Sequence, residues 1–204
     1  MSLRIIAIFM NKTLQDIREL SKIEFLPILS EECEKVLIQL LKDEKPQNIL
    51  EIGTCVGYSS SIMLLNSDAH IDTIELDKER QEVAKSVWKA QNLSDRVNAY
   101  LGDANIILKD VIKDKMYDFV FLDGPKSRYL EHLNVVINNV KSGGIILADD
   151  VLFFGLVKGD EYVIHKHRTI VRHLREFLAD IENRDDLDVT LIQEGNGIAI
   201  IRKK

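Results

Sequence analysis

From Pro46 onward, short apolar runs alternate with helical stretches, and this alternation constrains the fold more than any other feature of the chain. Asn48–Ile52, Ile71–Leu76, Val97–Leu101, Tyr117–Leu122 and Gly144–Ala148 each have the length and apolar content of a strand. Ser59–Leu65, Lys78–Gln91, Ala104–Val111 and Arg128–Val140, between them, read as helices. Strands separated by helices are joined by crossovers, so the expected sheet is mostly parallel with helices on both faces. A further helix at about Lys166–Ile181 precedes two closing strands, Leu187–Ile192 and Ile198–Arg202. Glu194-Gly195-Asn196-Gly197 joins those two, which reads as a hairpin at one sheet edge. Ahead of the sheet, Thr13 to about Leu41 reads helical on both sides of Pro27. Ser30 is the expected N-cap before Glu31 and Glu32.

The expected organisation is one domain over 13–204. Helices occupy 13–45 and the α/β core 46–204, after a disordered leader over 1–12. Of the 204 residues, 46% are hydrophobic and 29% charged, enough for a core that needs no disulfide or metal staple. The longest apolar runs, such as Ile5–Met10 and Ile145–Ala148, are too short to span a bilayer, so no membrane association is expected. The two cysteines, Cys33 and Cys55, lack metal-ligand spacing and fit a reducing compartment, which makes the cytoplasm the expected location. A net charge of −6 disfavours non-specific coating of nucleic acid but leaves room for a local basic patch.

Ligands of an open α/β sheet bind beyond the carboxyl ends of its strands. There the first strand runs into Glu51-Ile52-Gly53-Thr54-Cys55-Val56-Gly57-Tyr58-Ser59. The turn lacks the three-glycine cradle that holds a pyrophosphate. An acidic Glu51 would repel phosphate and favour a cation, and Gly53 lets the backbone pass close to a ligand. S-adenosylmethionine answers this description, because it carries an ammonium and a sulfonium and no phosphate. Glu75 ends the second strand at about the spacing expected of a ribose-hydroxyl acceptor. Asp103, before Ala104, ends the third, where an adenine amino group would meet it. Glu51 and Glu75 read separately as solvated strand ends; the cofactor reading comes from acidic groups at successive strand ends.

Asp123 closes the fourth strand, and Asp149-Asp150 closes the fifth. If those strands are neighbours, three carboxylates meet at one mouth, where they repel one another unless a cation sits among them. All-oxygen ligation selects Mg²⁺, Mn²⁺ or Ca²⁺ over zinc. The alternative is an ordinary polar loop start. Lys126, three residues past Asp123, is placed to take a proton from an acceptor hydroxyl, or simply balances the carboxylates.

In order and spacing, ILEIGTCVGYSS, TIELD, LGDA, FVFLDGPKSRY and GGIILADDV resemble the metal-dependent O-methyltransferases, the family of catechol and caffeoyl-coenzyme A O-methyltransferases. The resemblance runs from about Pro27 to the C-terminus. It implies a Rossmann-like class I methyltransferase with a seven-stranded, mostly parallel sheet whose last strand is antiparallel. It also implies metal ligands at Asp123, Asp149 and Asp150, a catalytic Lys126, and cofactor contacts at Leu29, Ser59, Glu75, Asp103, Ala104 and Asp123. Asp150 departs from the family's usual asparagine; it keeps an oxygen ligand and adds a negative charge. Val151–Val157 and Gly195–Ile200 look closest to a bacterial subgroup, some of whose members methylate 5-hydroxyuridine in tRNA.

Two acceptors follow. Lys158, Lys166, Arg168, Arg172 and Arg175, with His165, His167 and His173, form the one dense basic segment, and Arg168, Arg172 and Arg175 share a helix face. Lys126 and Arg128 extend it towards the mouth. Such a face suits the phosphates around a splayed-out base, so tRNA is the expected partner. The same residues also read as a solvated face pairing with Asp160, Glu161 and Glu176. Small catechol-like phenols are the alternative acceptor, with Phe25, Phe153, Phe154 and Tyr162 as lid candidates. Family likeness further suggests a homodimer.

Overall fold

The computed structural model describes residue 9, residues 12–159 and residues 163–204. A seven-stranded sheet with strand order β3-β2-β1-β4-β5-β7-β6 forms its centre. The strands are β1 (Asn48–Ile52), β2 (His70–Glu75), β3 (Val97–Leu101), β4 (Tyr117–Leu122), β5 (Val140–Ala148), β6 (Leu187–Ile192) and β7 (Ile198–Lys203). β1 to β5 pair in parallel, and β7 runs antiparallel to both β5 and β6. The expected closing hairpin is present, with β7 inserted beside β5 and β6 outermost.

Alternation along the strands assigns each side chain to a face. Phe119 and Phe121 of β4 join Ile49, Ile71, Ile145 and Leu147 in one core. That core is covered by α1 (Leu14–Ile23), α2 (Glu31–Glu44), α3 (Tyr58–Leu65) and α4 (Lys78–Ala90). Val120 and Leu122 join Leu50, Ile52, Ile146 and Ala148 in the other core. There the cover is α5 (Ala104–Ile106), α6 (Tyr129–Val136) and α7 (His165–Glu182). Both faces are dry, which is why the strands read as near-continuous apolar runs.

Local signals set the helix ends. Thr13 and Asp16 form a capping box on α1, and Ser30 caps α2 by accepting from the Cys33 amide at 3.1 Å. Several boundaries differ from the sequence reading. β2 runs from His70 to Glu75, because its pairing starts at His70 with Asn48 of β1 and ends at Glu75 with Leu101 of β3. The stretch expected to be one helix over Ala104–Val111 is α-helical only to Ile106 and then widens into a π turn, Ile107–Val111. The helix expected to reach Val140 stops at Val136, and β5 begins at Val140 because a 3₁₀ turn, Ile137–Asn139, leads straight into it. Most of the expected leader, with Asp160, Glu161 and Tyr162, lies outside the described residues. Among the described residues, no helix is long and apolar enough to cross a membrane.

Candidate active site

A cavity of about 780 Å³ opens beyond the carboxyl ends of the parallel strands. It lies where the strand order reverses between β1 and β4, the position topology assigns to ligands in open α/β sheets. Gly53, Glu75, Asp103, Ala104, Asp123, Lys126, Asp149 and Asp150 line it. Leu29 and Ser59 instead line a narrow adjoining recess that shares Gly53 and Asp123.

Glu51 requires a correction. The sequence places it at the ligand as an exposed negative charge; the structure buries it completely beneath the β1 turn. Thr73 Oγ1 donates to it at 2.5 Å and Ser59 Oγ donates to its other oxygen. Burial, opposed by these hydrogen bonds, pushes its carboxyl up to about 8. Glu51 therefore supports the turn from behind and does not line the cavity. Position near a strand end does not settle which way the side chain turns: Glu51 turns towards Ser59 and Thr73 beneath the turn, not into the cavity.

Glu75 is held for its task. It accepts from the backbone amides of Cys55 and Asp77, each at 2.8 Å, so its carboxylate bridges the tips of β1 and β2. Asp103 accepts from Asn105 N at 2.9 Å and from Arg128 Nη1 at 2.7 Å. The Arg128 contact, foremost, holds the Asp103 carboxyl below its ordinary value.

β4 and β5 are neighbours, so Asp123, Asp149 and Asp150 do stand at one mouth. Lys126 Nζ donates to Asp123 Oδ1 at 2.7 Å and lies 3.5 Å from Asp150 Oδ2. Asp149 Oδ1 accepts from the Asp150 amide at 2.8 Å. Burial, reinforced by Asp150 and Asp123, pushes the Asp149 carboxyl up to about 7. Burial alone would lower the Lys126 ammonium; Asp123, helped by Tyr129, Asp150 and Asp149, holds it well above the ordinary lysine range. The lysine thus stands as the cation among the carboxylates. Among the described residues, no group of three or more His, Cys, Asp or Glu side chains converges in a metal-holding arrangement. The donor set nevertheless fits a hard divalent ion, because every side-chain donor is a carboxylate oxygen, and burial together with the neighbouring carboxylates leaves Asp149 wanting a positive charge. Asp150 sits at φ 56°, a left-handed conformation in which Asn and Asp are enriched, so the backbone itself restricts this position.

Several residues at the site escape sequence reasoning. The Cys33 thiol, from α2, is buried against Asp149. His132 lines the cavity at 1% exposure, and neither ring nitrogen has a hydrogen-bond partner among the described residues. Tyr129 is buried against Lys126. Its spacing of three from Lys126 was the one signal available. Pro27, Ile28, Arg80 and Asn196 complete the wall from distant segments.

The basic segment is only partly free. Arg175 donates to the Val157 and Gly159 carbonyls at 2.9 and 2.7 Å, and Arg168 donates to the Val163 carbonyl at 3.1 Å. Both therefore brace the loop after β5. Arg172 lies 3.7 Å from Glu176 and is largely exposed, as is Lys166. Of the lid candidates, Phe153 and Phe154 stack edge to face 5.1 Å apart, and Phe25 is 92% exposed; none of the three lines the cavity.

A doubly covered sheet with one antiparallel strand, and acidic groups at the tips of β2, β3 and β4, defines a Rossmann-like methyltransferase. The O-methyltransferase family model matches residues 7–204, and the chain belongs to that family. A caffeoyl-CoA O-methyltransferase of Medicago sativa is 30% identical over 178 residues, spanning 82% of this chain and 71% of that protein. The Streptomyces achromogenes O-methyltransferase of tomaymycin synthesis, solved with S-adenosylmethionine, is 25% identical with a TM-score of 0.82, covering 94% of this chain and 89% of that one. A Podospora anserina methyltransferase, solved with S-adenosylhomocysteine, is 27% identical with a TM-score of 0.78, covering 87% and 80%.

Proposed function

We propose that the chain transfers the methyl group of S-adenosylmethionine to a hydroxyl that has a second oxygen beside it on a flat ring, and that this ring is 5-hydroxyuridine in tRNA. The observation that carries the reading is Lys126 Nζ, half-buried among Asp123, Asp149 and Asp150 at the mouth of the cofactor-sized cavity.

The cofactor supplies a methyl group activated by a sulfonium. Glu75 would accept from its ribose hydroxyls, Asp103 and Ala104 would border its adenine, and Leu29, Gly53, Ser59 and Asp123 would face its amino-acid end. Asp123, Asp149 and Asp150 would hold Mg²⁺, or Mn²⁺ or Ca²⁺, and such an ion would polarise the accepting hydroxyl and favour loss of its proton. The same ion's charge would offset the carboxylates that hold Lys126 as an ammonium, and the lysine would then take that proton as a neutral amine. Its neighbours fix its amine at the reacting end, and the cavity walls align acceptor and donor, which contributes much of the rate. Outside the cavity, exposed Lys158, Lys166 and Arg172 supply positive charge for a nucleic-acid backbone.

Small catechol-like phenols are the second reading. It is favoured by the engagement of Arg168 and Arg175 with loop carbonyls, which removes two cations from the expected phosphate face. Methyl transfer from labelled S-adenosylmethionine, run with Mg²⁺ or with EDTA on tRNA carrying 5-hydroxyuridine and on catechol, separates the readings. Mg²⁺-dependent labelling of tRNA well above catechol supports the proposal. Labelling of catechol alone replaces it with the second reading, and equal labelling in EDTA removes the metal from both.

A further inference from the structure

The hydroxyl of Tyr129 stands where three parts of the site meet, and the residue is fully buried. Lys126 Nζ donates to its Oη at 2.9 Å. The same oxygen lies 2.8 Å from the carbonyl of Leu122, the last residue of β4. It lies 2.9 Å from the carbonyl of Asp149, just past the end of β5. Carbonyls only accept, so the single hydroxyl hydrogen points to one or the other and away from the lysine. Its lone pairs are what Lys126 meets. The ring is fixed as well: it packs edge to face on Phe177 of α7, with centroids 5.6 Å apart.

A lysine side chain is long and loses considerable rotamer freedom when held in one place. Here the carboxylates draw Nζ towards the mouth, with Asp123 at 2.7 Å and Asp150 at 3.5 Å. Those two groups are also proposed ligands and would be engaged in the working enzyme. Tyr129 is the neighbour of Nζ that no other part of the reaction claims. We infer that Tyr129 is a positioning residue for methyl transfer: its hydroxyl, tied to the tips of β4 and β5, holds Lys126 Nζ at the accepting oxygen. The inference rests on the proposed role of Lys126 as the proton acceptor.

The test is steady-state kinetics of Tyr129→Phe, which keeps the ring and its contact with Phe177. The expected result is a kcat lower by about 10- to 100-fold, the scale of a misplaced reacting group, with the KM for S-adenosylmethionine unchanged. Tyr117→Phe is the control. That tyrosine is also buried, but its hydroxyl donates at 2.6 Å to Asp72, which does not line the cavity, whereas the Tyr129 hydroxyl meets Lys126. A purely structural role predicts that both variants lose stability and neither loses kcat, which overturns the inference. Lys126→Ala separates the two levels. If it stays active, the assignment of the lysine fails. If it is inactive while Tyr129→Phe turns over like the parent, the lysine stands and the tyrosine's role falls. Should Tyr129→Phe not fold, 3-fluorotyrosine at position 129 keeps the shape and weakens the oxygen as an acceptor. A reduced kcat there supports the inference, and an unchanged one refutes it.

Discussion

Gly53 and Asp123 touch through their backbones: a β-carbon on residue 53 would stand 2.5 Å from the Asp123 carbonyl oxygen. Gly53 also sits at φ 104°, a conformation L side chains rarely adopt. The glycine is thus required by the meeting of the β1 and β4 tips, whether or not a ligand is bound. Gly53→Ala is expected to cost about 2–4 kcal/mol, combining backbone strain with overpacking, and to weaken cofactor binding. Urea unfolding with an unchanged m-value, alongside calorimetric titration of S-adenosylmethionine, measures both; parental stability would show that the tips part easily.

Two buried groups should give stability opposite pH dependences. Burial keeps Glu51 protonated in the folded chain up to about 8, against an ordinary value of 4.5. Between those values the folded state binds more protons, so its contribution is full below 4.5 and is lost as pH rises towards 8. Burial, with Arg128 adding to it, lowers His132 from 6.5 to about 4. There the unfolded state binds more protons, so stability is lost as pH falls through that window. Glu51→Gln should flatten the alkaline limb of the urea midpoint against pH, and His132→Gln the acid limb. Parallel curves for variant and parent would contradict these assignments.

Asp150 in its left-handed backbone position can be exchanged for asparagine without new strain. Asp150→Asn should fold normally and retain methyl transfer. It should need several-fold more Mg²⁺ for half-maximal rate, because ligand charge count tunes affinity. A Mg²⁺ titration of activity reads this directly; an unchanged midpoint would mean that Asp150 is not a ligand.

The surface arginines divide by function. Reversing Lys166 and Arg172 to glutamate should reduce tRNA methylation and lower the slope of log affinity against log salt by about 2, leaving catechol methylation intact. Arg175→Ala should instead loosen the loop it braces and impair both acceptors alike. Filter binding over a salt series distinguishes the two effects, and an unchanged slope in the double reversal would remove the basic face from tRNA recognition.

The architecture was legible in the chain because its signals are local and periodic. Apolar runs of strand length, helices between them, Ser30 before Glu31, and the glycines at 195 and 197 before the last strand each act over a few residues. The acidic positions at 75, 103, 123, 149 and 150 were legible too, because parallel strands deliver their ends to one side. Residue 51 misled because position along a strand does not tell which way a buried side chain turns; that depends on what covers each face. His132 and Cys33 reach the site from helices, and their relevance rests on helix packing that no local pattern encodes. The basic stretch carried its charge openly, but which arginines are engaged depends on loop carbonyls, five residues from Arg168 and sixteen to nineteen from Arg175. The chain by itself thus determined the order of its elements and the chemistry at the strand ends. Only the tertiary structure decided which groups face the cavity, which stand behind it and which cations are already engaged, because burial and pairing belong to neighbours brought together from distant parts of the chain.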